Sequence, residues 1–369
     1  MFPYFVLFGL LATVSCASLL IGKHLSKWGL RFCFVILFCF MAFRSKTVGA
    51  DTISYVALYM SHGSTYRNVI QVFTGQGGLT ALYDVYAFIV YKLFHAEQAI
   101  LICNSIVICF GFYKFIQTFS SEPFFALMLF VFTFCYFFAF NGMRQSMACS
   151  LVLLAMVCLQ RDFRIVAASL MLLAVGVHQT SLFAVAVVLA SFILSKSEMY
   201  SCPRIFTGAL ILAFAISILY RPLFNLFSGV FGHYSMYREG ASSFSVTDST
   251  QGRQALVYAA TGFLMLLSIG SKGVRNIISN SGSDRVCWLI ASLCVGFGLF
   301  CTKAELLARL IYYLIPGYVC SLSVVVTAVD SRNKTIILGL FLLAAYFLLC
   351  VYMLASNYSI VVPYRFFWQ

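Results

Sequence analysis

Few side chains in this sequence can do chemistry, and most of them stand where an apolar run begins or ends. In GADTISY, Asp51 and Tyr55 lie four residues apart, which puts an acid and a phenol on one helical face, and Gly49 permits a tight turn before them. Asp51 can equally cap the following helix with Thr52 in its first turn, and spacing alone favours the cap. In NGMRQSMA, Arg144 and Gln145 open a run. A guanidinium beside the free amides of a helix N-terminus is a donor fork suited to phosphate; an arginine snorkelling at a helix end has the same signature. GRQALVY repeats the pair as Arg253 and Gln254. VHQTS sets His178 between two closely joined runs. Its unperturbed pKa suits a proton acceptor, although a lone membrane histidine is more often a hydrogen-bonded packing residue. CTKAELLARLIYY gathers Lys303, Glu305, Arg309, Tyr312 and Tyr313. Glu305 and Arg309, four apart, read first as an ion pair, and Arg309, followed by two tyrosines, as the better ligand contact.

The elements that must position these residues are membrane helices. Of 369 residues 62% are hydrophobic and 9% charged, with a mean hydropathy of +0.96; a soluble domain carries charge at roughly three times that frequency. The apolar runs are too long and too unbroken for barrel strands, so the fold class is all-α, a polytopic bundle of about twelve spans. The net charge of +13 comes from cations placed singly or in pairs at segment ends, which fits positive-inside topology and excludes a nucleic-acid-binding face. The 14 cysteines form no metal-ligand pattern.

The short basic segments KHLSKWGLR, RDFR, KSEMYSCPR, KGVRN and DSRNK read as cytoplasmic. Arg144, His178, Lys303 to Arg309 and the C-terminal tail then fall on the external side. The chain is expected to be one integral membrane domain with external loops at about 44–80 and 221–253. Residues 79–95 carry Asp84, Lys92 and three tyrosines. They read as interfacial or re-entrant, which makes the number of crossings agree from both ends. Arg44 and Lys46 are expected near anionic headgroups, with Asp51 and Tyr55 facing a wet external cavity, and the tail VVPYRFFWQ as an aromatic belt anchor.

Taken in order, GADTISY, MRQSMA, HQTS, ARLIYY and PYRFFW resemble the EpsG-like branch of the Wzy-type polysaccharide polymerases, over most of the chain from Arg44 onward. One departure is that GQGGLTALYD lacks the acidic residue expected before the third apolar run and has only Asp84 nearby. The resemblance implies an all-helical fold similar to the lipid-linked (GT-C-like) membrane glycosyltransferases. It also implies an enzyme that moves a growing glycan from undecaprenyl diphosphate to a sugar hydroxyl of another lipid-linked repeat unit. That reaction belongs at the external face of the bacterial cytoplasmic membrane, with a chain-length regulator as a possible partner. No cofactor is expected beyond the lipid-linked substrates, and with no Asp-x-Asp element the chemistry is expected to be metal-independent. Cleavage at the anomeric carbon leaves charge on a diphosphate, which preorganised cations stabilise. Arg144 and Arg309 are the first candidates for that work, supported by Arg253 and Lys303; Asp51 and then His178 are candidates for the base. Tyr55, Gln145, Gln254, Glu305, Tyr312 and Tyr313 are expected to contact substrate. A lipid-linked oligosaccharide flippase and an O-antigen ligase remain the alternatives; a flippase should show repeats and midplane polar groups.

Overall fold

The computed structural model describes residues 1–21, 23–75, 81–197, 201–230, 249–300, 305–329 and 331–369. These residues form helices, with one isolated antiparallel bridge between Arg44 and Phe366. In chain order the helices are α1 (Phe2–Ile21), α2 (Lys23–Ala42), α3 (Thr52–Thr65), α4 (Val69–Gly75), α5 (Ala81–Phe94), α6 (Glu97–Phe119), α7 (Pro123–Phe132), α8 (Cys135–Asn141), α9 (Met143–Gln160), α10 (Arg164–Val177) and α11 (Ser181–Ser195). They continue with α12 (Cys202–Val230), α13 (Ser249–Ile269), α14 (Lys272–Asn280), α15 (Gly282–Phe300), α16 (Glu305–Thr327) and α17 (Arg332–Ala355).

Six helices among the described residues are long and apolar enough to cross a membrane, or up to eight if each bent pair is one span. The pairs are α7 with α8, bent by 48°, and α13 with α14, bent by 88°. The chain is therefore a multi-pass membrane protein. α1, α2, α10 and α11 lie outside that set. The helices pack as two compact units, Met1–Ala186 with Cys350–Gln369, and Val187–Leu349.

In the first unit, small residues let backbones approach. A Cβ on Gly111 of α6 would lie 2.7 Å from both the Cβ and the carbonyl oxygen of Ser150 on α9, and Ser150 donates to the Ile108 carbonyl at 3.1 Å. Close packing and such inter-helix hydrogen bonds are what holds membrane helices together, since lipid is as apolar as leucine. Phe134, with φ 67°, breaks the path between α7 and α8, and its ring is fully buried against Phe137 and Tyr358. Gly142 separates α8 from α9, and a Cβ there would lie 2.6 Å from the Phe138 ring.

One end of this unit is tied together by the chain's C-terminal tail. The Gly49 and Ala50 amides donate to the carbonyls of Ile360 and Ser359, and Ser45 to Arg365. Phe367 returns a bond to the Phe43 carbonyl, and Tyr364 bonds the Phe40 carbonyl at 2.9 Å. Tyr4 at the start of α1 reaches the Val361 carbonyl at 2.6 Å. Tyr364 and Val361 are buried, so the tail is a structural clasp as well as an aromatic anchor; Phe367 and Trp368 alone of its large aromatic side chains are strongly exposed.

Residues 44–80, expected as an external loop, contain α3 and α4. Both boundaries of the segment 51–97 meet the same end of the unit: Asp51 donates its amide to Asn141, Lys46 pairs with Glu97, and Gln98 donates to the Arg44 carbonyl. The segment therefore makes no net crossing. α5, with 14 residues, is shorter than a span needs.

In the second unit α15 packs on α12, α13 and α16, again through small residues: Gly296 against Ala213, Gly317 against Ile290 and Gly298 against Tyr258. Buried hydroxyls of Thr261, Tyr318 and Tyr346 bond to one another. α14 turns its Val274 and Ile278 inward and keeps Lys272 and Arg275 off the core, an amphipathic pattern suited to an interface.

Candidate active site

Gly49 sits at φ +102°, where a Cβ would lie 2.5 Å from the Phe140 carbonyl oxygen, so glycine is what lets the turn before α3 press against α8. Thr52 fixes this contact by donating to the Phe140 and Val48 carbonyls at 2.8 and 2.9 Å. Asp51 occupies the N-cap position, but its side chain makes no capping hydrogen bond. Its amide is held by Asn141 at 2.8 Å. The cap reading of Asp51 therefore fails at the side chain.

The same contact delivers α3 to the start of α9. The Arg144 guanidinium lies 5.2 Å from the Tyr55 ring centroid and 5.6 Å from that of Tyr83 on α5. It interacts electrostatically with Asp84, one residue further along α5. No described carboxylate forms a close ion pair with Arg144, and its Nε has no hydrogen-bond partner. It lies half-buried at the N-terminus of an 18-residue helix, the end where the helix dipole is positive.

Asp84 is buried, 3.9 Å from the His62 Nδ1 on α3. Burial pushes its carboxyl above the usual range, and Arg144 and then His62 pull it back. Tyr83 accepts a hydrogen bond from the buried Asn104 of α6 at 3.0 Å. His178, the residue after α10, has extended backbone and lies two residues beyond Gly176, where a Cβ would lie 2.1 Å from Leu82. It therefore closes a helix that packs on α5 beside the same cluster. Gln145 is buried on α9.

Sequence reasoning found Arg144 and Tyr55 but missed His62, Tyr83, Asp84 and Asn104 as their neighbours. A carboxylate inside an apolar run is a functional signal in itself. In the sequence Asp84 reads as evidence against a span and as the one acid near the position the resemblance leaves empty, not as a partner of Arg144.

The expectation for Arg44 is corrected, and Lys46 gains a partner. Arg44 is fully buried, not at headgroups: it donates to the Met41 carbonyl, contacts Met143 Sδ at 3.2 Å and lies 4.7 Å from the Phe140 ring centroid. A cation there fastens the α8–α9 turn from below, since the tail and α6 have closed over it. Lys46 is neutralised by Glu97 at 2.6 Å.

In the second unit Arg309 lies in α16 and is partly exposed, with Tyr312 and Tyr313 buried on the next turn. The side chains of Arg253, Gln254 and Glu305 lie outside the described residues, as do Lys303 and the 231–248 part of the expected long loop.

A family model described as the EpsG family matches residues 27–366. The chain belongs to the EpsG family. This is a family of Wzy-type polymerases, and the match covers both units, so a polysaccharide polymerase-type role follows for the chain as a whole. No curated protein and no solved structure matches it.

Proposed function

We propose that this EpsG-family chain lengthens a surface polysaccharide by transferring a growing glycan from undecaprenyl diphosphate to a sugar hydroxyl of another lipid-linked repeat unit. The reaction takes place at the external face of the bacterial cytoplasmic membrane, the end of the first unit that carries the tail. The single observation behind this reading is Arg144: a guanidinium without a close carboxylate, held between two tyrosines at a helix N-terminus. As the anomeric bond breaks, the diphosphate oxygens gain charge, and a positioned fork stabilises that charge more than the ground state. Asp84, held above its usual range by burial, takes the proton of the acceptor hydroxyl in preference to Asp51, with His62 placed to hold or relay that proton. His178, at the end of the helix that packs on α5, is the alternative acceptor.

Arg309, Arg253 and Lys303 supply further positive charge in this proposal, so that no metal ion is needed for the diphosphate, and Tyr312, Tyr313, Gln145, Gln254 and Glu305 contact the glycans. With α1, α2, α10 and α11 counted as spans beside the six helices and two bent pairs, the proposal has the chain cross about twelve times, as a GT-C-like fold. Deleting the gene and resolving the surface glycan on a gel tests the function. Loss of the ladder with single repeats retained supports a polymerase; loss of all capped glycan favours a flippase or ligase and sinks the proposal.

A further inference from the structure

A second site lies on the first unit, at the end away from the tail. α2 and α6 run antiparallel and leave a groove of about 290 Å³ between them. Its walls are Val35, Phe38, Ile106 and Phe110, and Arg31 and Tyr113 close one end. Val35, Ile106 and Phe110 are each about half exposed, so the groove is open along its side. From Arg31 to Phe38 is seven residues, about 10 Å of helix, enough for the first several carbons of an acyl chain.

The closed end is basic and aromatic. Arg31 uses its Nε to reach the Tyr113 hydroxyl at 3.0 Å and stacks 4.5 Å over Trp28, itself 59% exposed. Lys27 is exposed one turn earlier on α2, and Lys114 follows Tyr113, its ammonium 5.4 Å from that ring. Among the described residues no carboxylate pairs with Lys27, Arg31 or Lys114. Three unneutralised cations beside an indole and a phenol, above an open apolar trough, are complementary to one kind of membrane component: negative headgroup, hydrocarbon tail.

We propose that this groove holds an anionic diacyl phospholipid, with its phosphate against Arg31, Lys114 and Lys27 and one acyl chain along Val35, Phe38, Ile106 and Phe110. The site is separate from the Arg144 cluster and independent of the reaction assigned to it.

Trp28 reports on it directly, because Trp288 is fully buried and Trp368 lies at the tail end. The full chain is placed in vesicles mixing phosphatidylglycerol and phosphatidylcholine, with bromine on the acyl chains of one or the other. The Trp28 signal is the difference between the protein and its Trp28→Phe variant. Brominated phosphatidylglycerol is expected to quench Trp28 beyond its share of the bilayer. Arg31→Gln and Lys114→Gln should each lower that preference about five-fold, the size expected for one basic residue at an anionic surface. Lys27→Gln, which removes no hydrogen bond or ring contact within the protein, should lower it in the same direction and keeps the test open where Arg31→Gln fails to fold. Equal quenching by the two lipids, or an unchanged preference in the Lys27→Gln and Lys114→Gln variants, overturns the proposal.

Discussion

Arg144→Ala separates catalysis from folding because of what the guanidinium does and does not touch. It has no close ion pair; it lies against the faces of Tyr55 and Tyr83 at 5.2 and 5.6 Å, hydrogen-bonds with Tyr55 and attracts Asp84 at longer range. Losing the two ring contacts costs about 1–2 kcal/mol, so the variant should still insert and unfold cooperatively. On the reaction side, an oriented donor removed from a developing oxyanion costs about 2.7–4 kcal/mol, or 10²–10³ in rate. A second effect adds to this: Asp84 loses its strongest counter-charge, so burial acts with less opposition and its carboxyl rises further. Arg144→Lys keeps the charge and loses the fork, and should fall between wild type and alanine. The assay is complementation of a deletion strain, with ladder formation followed over time and membrane levels of each variant matched by immunoblot. A rate within about tenfold of wild type for Arg144→Ala, at equal protein level, would refute the diphosphate role.

Three other outcomes follow from the same geometry. Asp84→Asn should lower the rate about 10²–10⁴-fold. In the wild type the proton-accepting form appears only above a raised carboxyl pKa, so activity should fall as pH drops through that range, and the acid limb should vanish from the residual Asp84→Asn profile. Gly49→Ala forces a Cβ to 2.5 Å from the Phe140 carbonyl at positive φ, and should cost about 1–3 kcal/mol, read as a lower unfolding midpoint and less protein in the membrane. Cysteines placed at residues 51 and 97 should be labelled by an impermeant thiol reagent from the same side; labelling from opposite sides contradicts the contacts of Lys46 with Glu97 and of Gln98 with Arg44.

Legibility in the sequence followed physical range. Helix class and the membrane setting rest on local composition, and α6, α9 and α15 to α17 fall where the apolar runs are. Arg144 and Tyr55 were visible because each sits in the first turn of a helix, within a short polar motif. Their partners were not visible, because His62, Asp84 and Asn104 come from three different helices and meet only once those helices pack. Arg44 misled for a related reason. Beside a polar turn, a cation reads as surface, and what covers it comes from α6 and from the tail, more than 300 residues away in sequence. The start of α3 at Thr52 was legible in GADTISY, but that residues 44–80 hold two helices rather than a loop was not, since a helix lying short of a full crossing has no need of an unbroken apolar run.

The reaction itself is tested most directly with the purified protein and a single species of lipid-linked repeat unit in vesicles. The account predicts lengthening of the glycan with one undecaprenyl diphosphate released for each new linkage, and neither event with Arg144→Ala. Movement of the intact lipid-linked unit across the bilayer without release of its diphosphate carrier would contradict it.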